Sequence, residues 1–259
     1  MPSRPTPDWR DGADYDWLVR QGRSAWAWEW LRRDPEYRRC AMKAIRSRAA
    51  GSGCDSEPDA QSWGLHRFED PGPDARHARP VWTAAAWPHV LRIDARRTKA
   101  AEGFDILALG AASLVTGDGG AEYWLEFDGG HALRLDVVSG TLSRGRVRLW
   151  LELGGPREIR AAICALRQLA ELWCGCKLSA GDILSPARAA RLVRLLRVAD
   201  ALAAGESQRA IAAILFDPQV RSARWRLEQA SVRLQVQRLV RNVRAMADGG
   251  YRRILSGAF

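Results

Sequence analysis

The chain has 259 residues, of which 47% are hydrophobic and 27% charged, values that are ordinary for globular proteins and exclude a wholly disordered chain. No stretch approaches the roughly 18 apolar residues that a membrane span needs, and the charged start of the chain lacks the apolar core of a secretory signal, so we expect a cytoplasmic protein without a membrane partner. Forty basic against thirty acidic residues give a net charge of +10, and only three of the forty are lysines.

Residues 1–50 predict a tryptophan-rich helical module. A first helix carries three closely spaced tryptophans, and Asp34-Pro35 restarts a second one, with Asp as the N-cap and Pro at the first helical position. Trp26 and Trp30 share a helix face, which favours core positions for both. Trp28 points away from that face, so it is either a core residue or a partner-binding residue on the surface.

The middle of the chain changes character twice. Residues 51–80 are rich in Gly, Ser, Pro and Asp and predict a flexible linker. Residues 81–153 contain short alternating or apolar runs separated by glycine-rich turns, which predict a small antiparallel sheet with a hairpin closed at Asp128-Gly129-Gly130. The predicted strands are Val90–Ile93, Phe104–Leu109, Tyr123–Phe127, Leu133–Val138 and Val147–Leu153.

Residues 154–259 predict a helical domain that binds DNA. Gly175 ends its first helix, Ser185-Pro186 starts the next, and a short helix follows Ser207. The last helix starts between Ser222 and Ser231. Three such helices in succession have the outline of a helix-turn-helix, although the connection before the last one is longer than the usual turn. The predicted fold class is therefore α+β, with helical modules at both ends and the sheet between them.

The positive charge is concentrated at the C-terminal end. Residues 187–259 carry 14 basic and 5 acidic side chains, a local charge of +9, and residues 229–247 contain no acid at all. Arginine, glutamine and asparagine can contact guanine and adenine edges, and arginine also binds phosphate. The predicted DNA-binding residues are Arg224, Arg226, Gln229, Arg233, Gln237, Arg238, Arg241, Asn242 and Arg244.

A solvated helix face is the alternative interpretation of this pattern. Such a face usually mixes acids and bases at i, i+4 spacing, and this one does not, which favours nucleic acid. Within the face, Arg233 and Gln237 come early and are expected to read bases. Arg241 and Arg244 come late and are expected to contact the phosphate backbone.

Sequence patterns of catalysis and of metal or cofactor binding are absent. The five cysteines form an odd set without zinc-type spacing, and the four histidines lack any metal-ligand spacing. The sequence has no phosphate-binding loop, nucleophile elbow or dinucleotide fingerprint. We therefore expect no catalytic residue, no metal and no cofactor, and a protein that is not an enzyme.

Two segments resemble known families. The sequence AWEWLRRDPEYR, at the centre of residues 15–39, resembles the short transcriptional regulator-like N-terminal domain of proteobacteria. Residues from about 155 to 256 resemble a proteobacterial helix-turn-helix-like DNA-binding domain. The matching parts are Ala199–Leu202, Gln208–Phe216, the arginine-rich helix and the terminal sequence GGYRRIL.

This resemblance implies a transcriptional activator of an integrative and conjugative element, one that switches on excision or transfer genes. The candidate partners are double-stranded DNA, a small anti-activator protein, RNA polymerase and a second copy of the chain. The alternative is an adaptor or anti-activator that holds another regulator through its helix-turn-helix-like domain.

Overall fold

The computed structural model describes residues 7–51, 57–109, 112–116, 122–128, 131–153, 155–176, 183–216, 220 and 229–257. The fold is α+β, as predicted. Its helices are α1 (Arg23–Leu31), α2 (Pro35–Ala49), α3 (Glu57–Ser62), α4 (Pro156–Trp173), α5 (Pro186–Ala203), α6 (Gln208–Leu215), α7 (Ala230–Ala245) and α8 (Tyr251–Leu255), with 3₁₀ turns at Ala13–Arg20 and Ile106–Ala108. Its strands are β1 (Val90–Arg97), β2 (Ala112–Thr116), β3 (Glu122–Asp128), β4 (His131–Gly140) and β5 (Val147–Glu152).

Local side-chain chemistry sets several helix ends. The Asp34 carboxylate accepts hydrogen bonds from the backbone N–H groups of Glu36 and Tyr37 at the start of α2, as the sequence predicts. The boundary between α7 and α8 falls at two glycines. Gly249 has a φ of +71°, and a Cβ on Gly250 would lie 2.5 Å from the Ala245 carbonyl oxygen, so only glycine fits this break.

The sheet is mixed, which corrects the prediction of an antiparallel one. Its strand order is β2-β3-β4-β1-β5. The predicted hairpin is confirmed, because β3 and β4 are antiparallel with Asp128 opposite His131. However, β1 runs parallel to β4 and antiparallel to β5. The alternation of apolar and polar residues predicts which face of a strand is buried. It does not predict which strand lies beside it, so this long-range pairing was not predictable.

Two details of the predicted strands also change. The apolar run at Phe104–Leu109 is not a strand. Phe104 makes a single bridge to Val147, and the chain then enters the 3₁₀ turn. The edge strand β2 was not predicted, although it pairs with β3 along its whole length.

The buried residues form two cores. One core joins the sheet to α4, which buries Ala162, Ala165 and Leu169 against the strands. The sequence predicts α4 as the first helix of the C-terminal domain, whereas its buried side chains pack on the sheet. The second core is helical and combines two stretches that are far apart in sequence, residues 7–87 and 183–257. The sheet and α4 therefore form a unit inserted between the two halves of the helical core.

The predicted linker is part of this helical core. Ala60, Leu65 and Phe68 are buried, and Leu65 pairs with Trp82 in an isolated β-bridge. The Tyr37 hydroxyl also donates to the carbonyl of Glu69, at 2.9 Å. The prediction of a flexible linker over 51–80 is thus wrong from residue 57 onward. Its Gly, Pro and Asp residues make turns, while the apolar residues between them pack against α1 and α2.

Candidate nucleic-acid interface

Helix α7 has one packed face and one exposed face. Val236, Val240 and Val243 are buried in the helical core, where α7 contacts α5 and α6. These residues recur at helical spacing, so Gln237, Arg238 and Arg241 between them point away from the core. Because α7 contains no acidic residue, its outward face is neutral or basic along its whole length.

The structure separates the predicted DNA-binding residues into three groups. The exposed residues are Gln237, Arg238, Arg241 and Arg244, whereas Gln229, Arg233 and Asn242 are half-buried. Arg224 and Arg226 lie outside the described residues. The four exposed residues are called the α7 basic face below.

Arg233 lies at the border between the two faces of α7. It precedes the buried Val240 by seven residues, which is about two turns, so it sits almost directly over the packed stripe. Its Nε is buried and has no hydrogen-bond partner within the described part of the chain. Arg233 is therefore less accessible to a ligand than the sequence pattern predicts, whereas Gln237, one turn later, is exposed.

Most of the connection between α6 and α7, namely residues 217–219 and 221–228, lies outside the described residues. Helix α6 ends at Leu215 and α7 begins at Ala230, so residues 216–229 separate them. Within that connection Val220 is fully buried in the helical core. The described part of the long helix begins at Ala230, within the predicted interval, and it packs against α6.

Two described carboxylates of the C-terminal half pair with arginines outside the α7 basic face. Asp200 and Glu206, on α5 and just beyond it, both pair with arginines of the N-terminal half, namely Arg33 and Arg10. In contrast, Arg238, Arg241 and Arg244 form no ion pair with any described residue. The positive charge of the face is therefore not neutralised within the described part of the molecule, which favours a polyanionic ligand.

Asp200 is the centre of a buried charge cluster that joins the two halves of the helical core. It accepts hydrogen bonds from Arg33 Nε and Nη2, at 2.7 and 3.0 Å, and from the Tyr15 hydroxyl, at 2.7 Å. Arg33 also pairs with Glu29, whose second oxygen accepts from the backbone N–H of Ala75, at 2.8 Å. Together these five residues are the Asp200 cluster. They hold α1 and the 3₁₀ turn before it against α5.

Charges inside this cluster stabilise one another. Burial, followed by the neighbouring Asp200 carboxylate, raises the pKa of the Tyr15 hydroxyl well above its usual range. For Arg33, burial opposes the charged form, but the Glu29 and Asp200 carboxylates outweigh it and raise the pKa of the guanidinium. The Arg33 guanidinium thus remains charged at neutral pH. Sequence reasoning missed this cluster, and the only local signal for it is a glutamate placed between tryptophans in AWEW.

The prediction that Trp28 contacts a partner is wrong for the folded chain, because Trp28 is fully buried, with 0% of its surface exposed. Its indole N–H donates to the Pro73 carbonyl, at 3.1 Å, and its ring meets Tyr37 edge to face, with 5.8 Å between centroids. Trp26 and Trp30 are buried as predicted. All three tryptophans of α1 are buried because the segment predicted as a linker covers the side of the helix that carries Trp28.

No described helix is long and apolar enough to cross a membrane. Within the same described residues, His, Cys, Asp and Glu side chains form no group of three or more that could hold a metal ion.

Comparison with protein-family models gives two matches. A model described as "T6SS, Transcription factor, DNA binding domain" matches residues 154–256, and a model described as "Proteobacterial transcriptional regulator-like domain" matches residues 8–68. A search of curated proteins found no match. The first matched range contains the α7 basic face, and the second contains most of the N-terminal half of the helical core. These domains indicate a DNA-binding transcriptional regulator and point to a role other than catalysis.

Proposed function

We propose that this protein binds duplex DNA through the α7 basic face and activates excision or transfer genes of an integrative and conjugative element. The observation that carries the DNA-binding part is an acid-free helix, within the matched DNA-binding range, whose exposed arginines have no carboxylate partner among the described residues. The mobile-element role is supported by the sequence resemblance of the two terminal segments. A small anti-activator and RNA polymerase are the proposed protein partners.

The exposed residues of the α7 basic face have two different roles in DNA binding. Arg241 and Arg244 lie in the last part of α7 and bind backbone phosphates. Gln237 lies earlier and reads an adenine or guanine edge, as expected if the N-terminal part of the helix enters the major groove. Arg233 supports Gln237 from the border of the face rather than reading a base itself, because its Nε is buried.

A binding titration of the full chain tests this proposal. The ligand is duplex DNA from upstream of the genes of its own element, and the salt concentration is varied. Arg241→Ala and Arg244→Ala should each weaken binding to every sequence and lower the salt slope by about one unit. Arg39→Ala is the matched control, since Arg39 is an exposed arginine on α2, outside the matched DNA-binding range. A flat salt response, or equal effects of Arg39→Ala and Arg241→Ala, would contradict the proposal.

Sequence reading is tested separately by competition with scrambled duplexes. Gln237→Ala should reduce the preference for the specific site by about 1–3 kcal/mol and leave nonspecific affinity nearly unchanged. An equal loss on both duplexes would mean that Gln237 reads no base. Activation is tested with a reporter under the promoter of an excision gene, where Arg241→Ala should lower expression.

One observation favours the adaptor alternative. Leu234 lies on the exposed side of α7 and keeps 47% of its surface exposed, although apolar residues are depleted on solvated helix faces. A regulator held by α7 would bury this side chain. If the full chain fails to bind DNA while Leu234→Asp abolishes capture of the purified anti-activator, the adaptor role replaces the DNA-binding one.

A further inference from the structure

Strand β5 is an edge of the sheet, and alternate residues of this strand present their backbone groups to solvent. Val147 exchanges both backbone hydrogen bonds with Phe104, at 2.8 and 2.9 Å, on the side away from β1. Residues two apart along a strand direct their N–H and C=O groups to the same side. The groups of Leu149 and Leu151 therefore point outward as well, and no described residue pairs with them.

The side chains of this edge are unusual for a solvated strand. Trp150 keeps 52% of its surface exposed, and Leu151 and Leu153 are also exposed. An open edge with large apolar residues is a template for pairing with another strand. Helix α4, which begins four residues after β5 ends, adds the exposed Ile159 and Ile163 to the apolar surface of the same unit.

We propose that β5 pairs antiparallel with β5 of a second copy of the chain, around a two-fold axis at Trp150. This register places Arg148 opposite Glu152 of the second copy, and the two-fold axis repeats that pair. It also places Leu149 opposite Leu151 of the second copy, so that the four outward backbone groups of each strand are satisfied. The charge pattern of the strand is thus complementary to itself.

Neighbouring contacts fix the length and register of this ladder. The outward N–H and C=O groups of Val147 are already hydrogen-bonded to Phe104, so pairing with a second copy extends no further than Leu149 and Leu151. Shifting the register by two residues would place Arg148 or Glu152 opposite Trp150 and would lose the charge pairs. The odd-numbered side chains of β5 lie on the side that faces α4, so leucines meet leucines there, while Trp150 meets Trp150 of the second copy on the other side.

Disulfide cross-linking of the full chain tests the register. Opposite residues in a non-hydrogen-bonded antiparallel pair have Cα atoms about 4.5 Å apart, which a disulfide can span. Trp150→Cys should therefore form a covalent dimer on oxidation. Arg148→Cys is the control, because two copies of position 148 would lie roughly 13 Å apart in this register. Both variants are made with Cys174→Ser and Cys176→Ser, since these natural cysteines are exposed.

Charge reversal tests the same register without a covalent cross-link. Arg148→Glu should raise the dissociation constant of the dimer by roughly tenfold, because two attractive pairs become repulsive. The variant does not harm the monomer, since Arg148 lies opposite Arg96 of β1 and a carboxylate there is favourable. The double variant Arg148→Glu/Glu152→Arg should restore association. Arg144→Glu is the matched control, with the same charge change at an exposed position outside the strand.

Sedimentation equilibrium without DNA measures these effects, so their outcome does not depend on the proposed DNA binding. A self-associating chain, a cross-link specific to Trp150→Cys and rescue by the double variant support the proposal. A monomeric chain at micromolar concentration, equal cross-linking at positions 148 and 150, or unchanged association of Arg148→Glu would overturn it.

Discussion

Replacing Asp200 by asparagine should weaken the joint between the two halves of the helical core. The Asp200 side chain is 9% exposed and accepts two hydrogen bonds from Arg33 and one from Tyr15. Asparagine keeps one acceptor oxygen but loses the charge, which leaves the buried guanidinium of Arg33 with Glu29 alone. Breaking a buried pair on one side usually costs 3–5 kcal/mol, and with Glu29 retained we expect Asp200→Asn to lower the free energy of unfolding by about 2–3 kcal/mol.

The matched control is Glu206→Gln, which also removes a carboxylate that pairs with an N-terminal arginine. Its partner Arg10 is 50% exposed and Glu206 itself 26%, so solvent screens this pair. We expect a change below about 1 kcal/mol. The contrast between the two variants therefore isolates burial, since both pairs join the same two parts of the chain.

Urea denaturation followed by tryptophan fluorescence gives both values by linear extrapolation. Trp26, Trp28 and Trp30 report the helical core, and Trp150 and Trp173 of the sheet unit add to the same signal. Asp200→Asn and Glu206→Gln with unfolding free energies within 1 kcal/mol of each other would refute the reasoning about burial.

Three further changes have definite expected outcomes. Burial, aided by the charge of Arg134, lowers the pKa of His66 to about 4, so the unfolded state takes up a proton first as the pH falls below about 6.5. As the pH is lowered from 6.5 to 4, the free energy of unfolding should fall by up to roughly 2 kcal/mol more in the parent chain than in His66→Gln. Parallel plots of this free energy against pH for the two proteins would contradict the prediction. Gly140→Ala should lower the free energy of unfolding by at least about 3 kcal/mol, because the new Cβ would lie 1.9 Å from the Ala95 carbonyl oxygen. Gly145 has a similar φ but open space around it, so Gly145→Ala should lower the same free energy by about 1 kcal/mol in the urea assay. Trp28→Ala should cost about 3–5 kcal/mol in thermal or urea unfolding, and an unchanged midpoint would contradict the burial of Trp28.

The sequence predicts features that depend on a few adjacent residues. Asp34 followed by proline identifies the start of α2, two glycines identify the end of α7, and Asp128-Gly129-Gly130 identifies the β3–β4 hairpin. The exposed face of α7 is also predictable, because helical spacing separates its valines from its arginines. Arg233 is the exception, since a residue at the border of two faces can lie on either side.

Features that depend on distant contacts were not predictable. The parallel pairing of β1 with β4 joins strands that are separated by two others in the sequence. Trp28 is buried by Pro73 and Tyr37, and composition alone suggested that the segment containing Pro73 was flexible. In the sequence, Asp200 is a single acid on a basic helix, and nothing near it identifies Arg33 and Tyr15 as its partners in the fold.

The division of the helical core between residues 7–87 and 183–257 has a consequence during protein synthesis. Helix α1 leaves the ribosome long before α8, which packs against it, is made. The inserted sheet and α4 are contiguous in sequence, so they can fold while the N-terminal half still waits for its partner. A chain that stops before α5 would expose the side of α1 that α8 covers and present an apolar surface to chaperones and proteases. Only a chain that includes α8 covers this side of α1, so shorter products would be substrates for removal.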